Sequence, residues 1–333
     1  MSGPQTSPAV PPATASPDAR RRCLPRWLHA LFLLAGFVSL AGLAIRLTIK
    51  DSTAPISALF YATPLPILTV GFGLLGWRWQ RGRLIRSAFA LIALGLAVWT
   101  SSVYWRSSTT VASVAPDAQR VRVLFWNTGR GSIGDDAAIA AEIRRAAADI
   151  VVLVEAVPWD EPDAIRRFWR EACPELRPSV LGGGIVLLTR FPSGETLTAD
   201  LPLDSITRQL DVDCDGHPLT LLICDIGSNP ARSRSDVLSM VGETAGRLAE
   251  RATLVLGDFN TPPDSLHFGP LRRTYRNGFE TAGAGYLATW PMPLPVLALD
   301  QMWVSPSVTP LSCRHLWSLQ SDHRPVLAEL ALP

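Results

Sequence analysis

The 333-residue sequence predicts an α/β sandwich of four layers, two mixed sheets with outer helices, preceded by three transmembrane helices. Three observations predict it. Three apolar runs crowd into the residues before 106. After Val121, short apolar runs of strand length alternate with helical stretches. One pair of those runs is joined by a two-residue hairpin signal, Asp215-Gly216, while others form βα units, so parallel and antiparallel pairing are mixed.

The elements follow in chain order. Residues 1–19 are rich in Pro, Ala and Ser; with the arginines that follow, 1–26 reads as a disordered basic tail. Spans are expected over 27–45, 54–77 and 85–105, each near the ~20 residues that cross a ~30 Å hydrocarbon core. Pro55, Pro64 and Pro66 predict a kink in the N-terminal half of the second. Trp27, Trp77, Trp79, Trp99 and Trp105 lie at or near the ends, where amphipathic rings prefer the interface. The alternatives are a cleaved signal peptide, for which the first run is long and is followed by two more, and buried helices of a large soluble domain, against which three uncharged runs within eighty residues argue. Four arginines precede the first span (Arg20, Arg21, Arg22, Arg26), and four lie between the second and third (Arg78, Arg81, Arg83, Arg86). The positive-inside rule places both groups in the cytoplasm. Three crossings then put the domain that follows outside a plasma membrane, joined by a polar linker over 106–120.

The domain itself occupies 121–333. Strands are expected over 121–127, 149–156, 182–190, 252–260, 297–306 and 323–330, with the hairpin over 210–224. Helices are expected over 135–148, 161–172 and 235–250. Residues 1–106 hold eleven basic and two acidic residues, which leaves 107–333 at a net charge of −7. An acidic domain is a poor non-specific partner for nucleic acid. Cys173, Cys214, Cys224 and Cys313 match no zinc spacing; they are either disulfide partners or buried thiols.

Polar residues recur where the apolar strands end. Asn127 and Glu155 end the first two, Asp258 and Asn260 end Gly-Asp-Phe-Asn, Asp300 interrupts a later strand, and Asp322 and His323 precede the last. Strand ends are where α/β folds usually place active sites. Oxygen donors of this kind suit Mg²⁺, and a neighbouring His can stabilise charge on a phosphoryl oxygen. Singly, each residue has a blander role: a turn residue, a surface carboxylate, an Asx turn, an arginine partner.

Together, VRVLFWN, DIVVLVEA, GGGIVLLTR, GDFN, LDQMWVS and SDHRPV resemble the endonuclease/exonuclease/phosphatase superfamily in order and rough spacing, over about 121–330. The resemblance implies metal-assisted hydrolysis of a phosphoester, with Mg²⁺ or alternatively Mn²⁺. It implies Asn127, Glu155 and Asp322 at the metal, Glu155 as principal ligand. It implies Asp258 orienting or deprotonating the attacking water, Asn260 assisting at the phosphate, His323 as the catalytic histidine and Asp300 as its orienting carboxylate. Two positions depart from the pattern. Asp225 stands where many members have a histidine, and Gln301 follows Asp300 where many have His. An acid at 225 repels phosphate unless it binds metal or is protonated. The TWP element at 289–291 is similar to that of membrane-anchored bacterial members, whose three-span proteins have been linked to glycopeptide-antibiotic resistance and isoprenoid-pyrophosphate dephosphorylation.

The expected function is therefore a membrane-anchored phosphoesterase whose partners are the lipid bilayer and a phosphorylated lipid or other phosphoester. The rivals are a surface nuclease and a non-catalytic binding domain.

Overall fold

A computed structural model describes residues 26–79, 82–107, 118–156 and 161–333. Most of the basic tail, Arg81 and residues 108–117 of the expected linker lie outside them.

The apolar third forms α1 (Arg26–Leu47), α2 (Ala54–Ala62), α3 (Leu65–Arg78) and α4 (Arg83–Tyr104). α1 and α4 have 22 residues each. At ~1.5 Å per residue each reaches ~33 Å, enough for the hydrocarbon core. The second expected span is not one helix. α2 and α3 meet at a 68° bend, so two helices can cross a membrane, or three if the bent pair counts as one span. Its cause is local. A residue before proline is pushed out of the helical region, and Thr63 before Pro64 has φ −122°. Carbonyls freed by the break need donors in an apolar setting. Arg46 on α1 supplies them, with Nη2 donating to Phe60 O at 3.0 Å and Nε to Thr63 O at 3.3 Å. Thr69 and Thr100 share a hydrogen bond of 2.9 Å, and Gly76 packs against Ala90. Gly71 packs against Ser39, and Gly36 against Leu75. These pairings make α3 antiparallel to both α1 and α4, with small residues permitting the approach.

In the remainder the chain forms β1 (Trp105–Arg106), β2 (Gln119–Asn127), α5 (Asp136–Ala146), β3 (Ile150–Val154), α6 (Pro162–Ala172), β4 (Arg177–Gly182) and β5 (Ile185–Thr189). Next come β6 (Leu197–Leu201), β7 (Ser205–Cys214), β8 (His217–Asp225), α7 (Ser235–Arg247) and β9 (Thr253–Asp258). The last group is α8 (Gly269–Arg272), β10 (Arg276–Asn277), α9 (Gly278–Ala282), β11 (Gly283–Tyr286), β12 (Asp300–Val304), β13 (Thr309–His315) and β14 (Val326–Leu332). One sheet has the order β1-β11-β13-β14-β2-β3-β5-β4, the other β10-β12-β9-β8-β7-β6. The β2–β3 and β8–β9 pairs are parallel, crossed over by α5 and α7, while the β7–β8 hairpin is antiparallel. Its turn residues Asp215 and Gly216 both have positive φ, as a two-residue hairpin of this hand requires.

Period-two alternation distributes the side chains among four layers. Val123, Phe125, Val152 and Ile223 face the space between the sheets. Leu124, Trp126, Val151 and Leu153 face α5 and α6 on one outside. Leu222, Cys224 and Val255 face α7 on the other. β4, β6 and β13 carry no strand signal in the sequence. β6 is an exposed edge, and β13 bulges near Pro310, so neither shows a continuous apolar run. Cys173, Cys214, Cys224 and Cys313 are buried free thiols.

Candidate active site

Register assembles the site. Asp225 of β8 and Asp300 of β12 each pair with Asp258 of β9, so three aspartates stand abreast where their strands meet the rim. Gly257 makes the approach of β8 and β9 feasible: a Cβ there would lie 1.9 Å from the Cys224 carbonyl oxygen. The facing sheet contributes Asn127, the last residue of β2, and Glu155, just beyond β3. Asp322 and His323 come from the loop before β14. Ser321 holds that loop in place by donating to Asn127 O at 2.8 Å, and Trp126 Nε1 donates to His323 O at 3.0 Å.

Asp258 is buried and clamped. Its Oδ1 accepts from Asn260 N at 2.9 Å; its Oδ2 accepts from Asn127 Nδ2 at 2.9 Å and Asn260 Nδ2 at 3.2 Å. Asn260, at φ 46°, also donates to Ile226 O at 2.7 Å. Asparagine tolerates this left-handed conformation better than most residues. His323 Nδ1 lies 2.9 Å from Asp300 Oδ2, and its Nε2 lies 3.8 Å from Asp258 Oδ2. Burial pushes the imidazole down, but Asp300 and Asp258 outweigh it and raise His323 to about 10. Burial raises Asp258 to about 6, against the attraction of His323. The ring is therefore a cation at neutral pH, positioned as a donor and not as a base.

Asp225 occupies the position where a histidine was expected from the resemblance. Burial, then the charges of Asp258 and Glu155, raise its carboxyl to about 7, so it is partly neutralised by a proton at physiological pH. Gln301 is buried and structural: its Nε2 donates to Thr261 O at 2.7 Å.

Glu155 sits at φ 50°, a conformation that costs a non-glycine residue on the order of 1 kcal/mol and is often found at functional sites. Its carboxylate is partly exposed, 3.2 Å from Arg130 Nε and 3.5 Å from Asn127 Nδ2. Asp322 Oδ2 accepts from Trp290 Nε1 at 3.1 Å. Asp258, Asp300 and His323 offer atoms within 4.8 Å of one another and form a buried group close enough to hold a metal. A protonated imidazole lacks a free lone pair, however, and its Nδ1 is committed to Asp300. Glu155 and Asp322 line the same cavity as Asp258, whose walls carry more carboxylates than cations.

That cavity, about 560 Å³, holds Asn127, Glu155, Asp258, Asn260, Asp322 and His323 together. Of the seven candidates, only Asp300 stays behind the wall, reaching the cavity through His323. Three wall residues come from the apolar third: Ala58, Tyr61 and Ala62 of α2. Trp290, Leu297 and Leu299 form another wall. Trp290, Leu297 and Leu299 lie in the 288–300 segment, whose TWP element reads as part of a substrate-side loop; Ala58, Tyr61 and Ala62 had no local signal. Among other charged residues, Arg190 pairs with Asp149 at 2.7 Å, and buried Arg208 donates to Leu181 O at 2.8 Å, so neither reaches the site.

Residues 124–323 match the model of the endonuclease/exonuclease/phosphatase family. The chain belongs to this family. Solved structures agree in fold. A family protein from Bacteroides thetaiotaomicron superposes with a TM-score of 0.54 at 14% identity, covering 65% of this chain and 99% of that one. A mannosyl-6-phosphatase from the same organism gives 0.53 at 16%, covering 63% and 99%. D. rerio TDP2, complexed with a single-strand DNA product, gives 0.52 at 16%, covering 63% and 98%. No curated protein sequence matches the chain significantly. The family fold thus accounts for the two sheets and leaves the apolar helices as this chain's addition to those structures.

Proposed function

We propose that the chain is a membrane-anchored, extracytoplasmic phosphoesterase, dependent on Mg²⁺ or alternatively Mn²⁺, that hydrolyses a lipid-linked phosphate or pyrophosphate. One observation carries this reading: Asp258 and His323 open into a cavity that is walled in part by an apolar helix of the membrane segment. The arginines before α1 and around the α3–α4 link support cytoplasmic ends there, with the domain on the opposite side. Likeness to a mannosyl-6-phosphatase and to TDP2 with bound DNA product supports phosphoester chemistry in general.

In this reading Asp258 orients a water in line with the phosphorus and takes its proton as the phosphorus–leaving-oxygen bond breaks. Asn260 binds a phosphoryl oxygen. His323, held by Asp300, donates a hydrogen bond to the phosphoryl group as its charge develops. Glu155, with Asn127 and Asp322, would hold the metal, which when bound neutralises phosphate charge and polarises the phosphoryl oxygen. Asp225 carries a proton or faces the cation.

Phosphate release from a polyprenyl pyrophosphate by detergent-purified protein, with Mg²⁺ and with EDTA, tests the proposal. Metal-dependent release that Asp258→Ala abolishes is expected. Release of no phosphate, with nicking of a supercoiled plasmid under the same conditions, would replace it with a surface nuclease. Neither activity, and no metal bound at Glu155, would leave a non-catalytic binding domain.

A further inference from the structure

The bend at Thr63–Pro64 turns α2 away from α3 and lays it against the two loops that leave the catalytic strands. Ser57 Oγ donates to Pro230 O at 3.0 Å, in the loop after Asp225. Asp51, buried in the α1–α2 connection, accepts from Tyr61 Oη at 3.1 Å, Leu266 N at 3.0 Å and Ser265 Oγ. His267 Nε2 lies 2.9 Å from Asp51 O, and Lys50 Nζ donates to Asp264 O at 3.0 Å. Arg46 pairs with Asp264 while its guanidinium covers the Phe60 ring at 4.1 Å. The loop from 261 to 268, which follows Asn260 directly, is thus fastened to the membrane segment by buried polar contacts.

What α2 leaves uncovered is apolar. Ala58, Tyr61 and Ala62 fall on one face, at i, i+3 and i+4, and line the cavity. The wall formed by Trp290, Leu297 and Leu299 is also tied to a membrane helix. Tyr104 at the end of α4 donates through Oη to Val296 O at 3.1 Å, and its carbonyl accepts from Leu287 N at 2.8 Å. Leu294, in the same loop, is 79% exposed. The cavity is therefore polar at the strand ends and apolar toward the helices, and both apolar walls are anchored at the domain-facing ends of α1 and α4.

We propose that the Ala58–Ala62 face of α2 seats the first part of the hydrocarbon chain of a membrane lipid phosphate whose headgroup reaches Asp258. The inference rests on the phosphoesterase reading above and adds the route of the chain. It makes the membrane segment part of the substrate site. Small side chains at 58 and 62 leave room that a bulkier residue would fill.

The test compares full-length wild type, Ala58→Trp and Ala62→Trp in detergent on a long polyprenyl pyrophosphate and on dimethylallyl pyrophosphate. Expected is a fall of kcat/KM on the long chain at least about tenfold greater than on the short one, the equivalent of losing one or two buried methylene groups. Equal losses on both substrates would make α2 a structural support only; unaltered turnover on both would send the chain elsewhere. Either result overturns the inference while the phosphoesterase reading stands, whereas wild type inactive on both overturns the lipid-phosphate reading first. A polyprenyl phosphate carrying a benzophenone near its headgroup supplies a readout independent of folding. Labelling of the 54–62 peptide is expected, and labelling confined to other segments would overturn the proposal.

Discussion

The cavity has two halves built on different principles. At the strand ends the functional atoms are held by strand register and directed hydrogen bonds: Asp258 by its register with Asp225 and Asp300 and by Asn127 and Asn260, His323 by Asp300 and by Ser321. On the helix side the surface is mostly apolar, and it is held from behind by Tyr61 and Ser57 hydrogen bonds and by two buried charges, Arg46 and Asp51. Chemistry needs atoms placed within tenths of an ångström, which strands provide. An apolar wall needs only position and volume, which a docked helix provides.

Four measurements sharpen that contrast. The largest effect belongs to the strand half. Asp258→Ala is expected to lower kcat by about 10²–10⁴-fold, the usual range for a lost acid–base group, with little change in KM. Next is the anchor. Asp51→Ala leaves Ser265, Tyr61 and the Leu266 amide without their acceptor, at a cost of about 3 kcal/mol, which thermal unfolding in detergent would read. A loss of lipid turnover without a fall in stability would mean that Asp51 acts on chemistry, and the contrast would break.

The third concerns charge. With His323 raised to about 10 and Asp258 to about 6, activity is expected to fall below pH about 6 and above pH about 10. Asp300→Asn removes the main attraction on the ring, so the alkaline limb should move to lower pH in the rate profile. The same raised His323 stabilises the folded protein below its unfolded pKa of ~6.5, and that contribution is lost as pH rises through about 10. The last measurement is Asp225→Asn. An unfolded aspartate ionises near ~3.9, while in the fold Asp225 holds its proton to about 7, so between these values folding takes up a proton and stability falls as pH rises. In EDTA the variant should unfold at a higher temperature than wild type at pH 8, and at nearly the same temperature at pH about 4.

Sequence reasoning located the seven candidates because each sits in a short run whose neighbours announce a strand end, as Asp258 and Asn260 do in Gly-Asp-Phe-Asn. It also named Asp225 as a departure, though only burial beside Asp258 and Glu155 explains how an acid is tolerated there. It missed Asp51, which in the chain is one acid between two apolar runs. Its partners Ser265 and Leu266 lie more than two hundred residues away. Likewise the prolines at 64 and 66 foretold a kink, but not that α2 would leave the bundle and lie on the domain.

By itself the sequence determined which segments are apolar enough for a membrane, the alternating strands and helices of the family fold, the Asp215-Gly216 hairpin and the identity of the polar residues at the strand ends. These are local properties, set by periodicity, proline and glycine chemistry and short motifs. Tertiary structure alone decided that Asp225, Asp258 and Asp300 stand abreast, that His323 becomes a cation, and that α2 walls the cavity. Register, burial and the docking of one segment on another depend on contacts between residues far apart in the chain, and no local pattern encodes them.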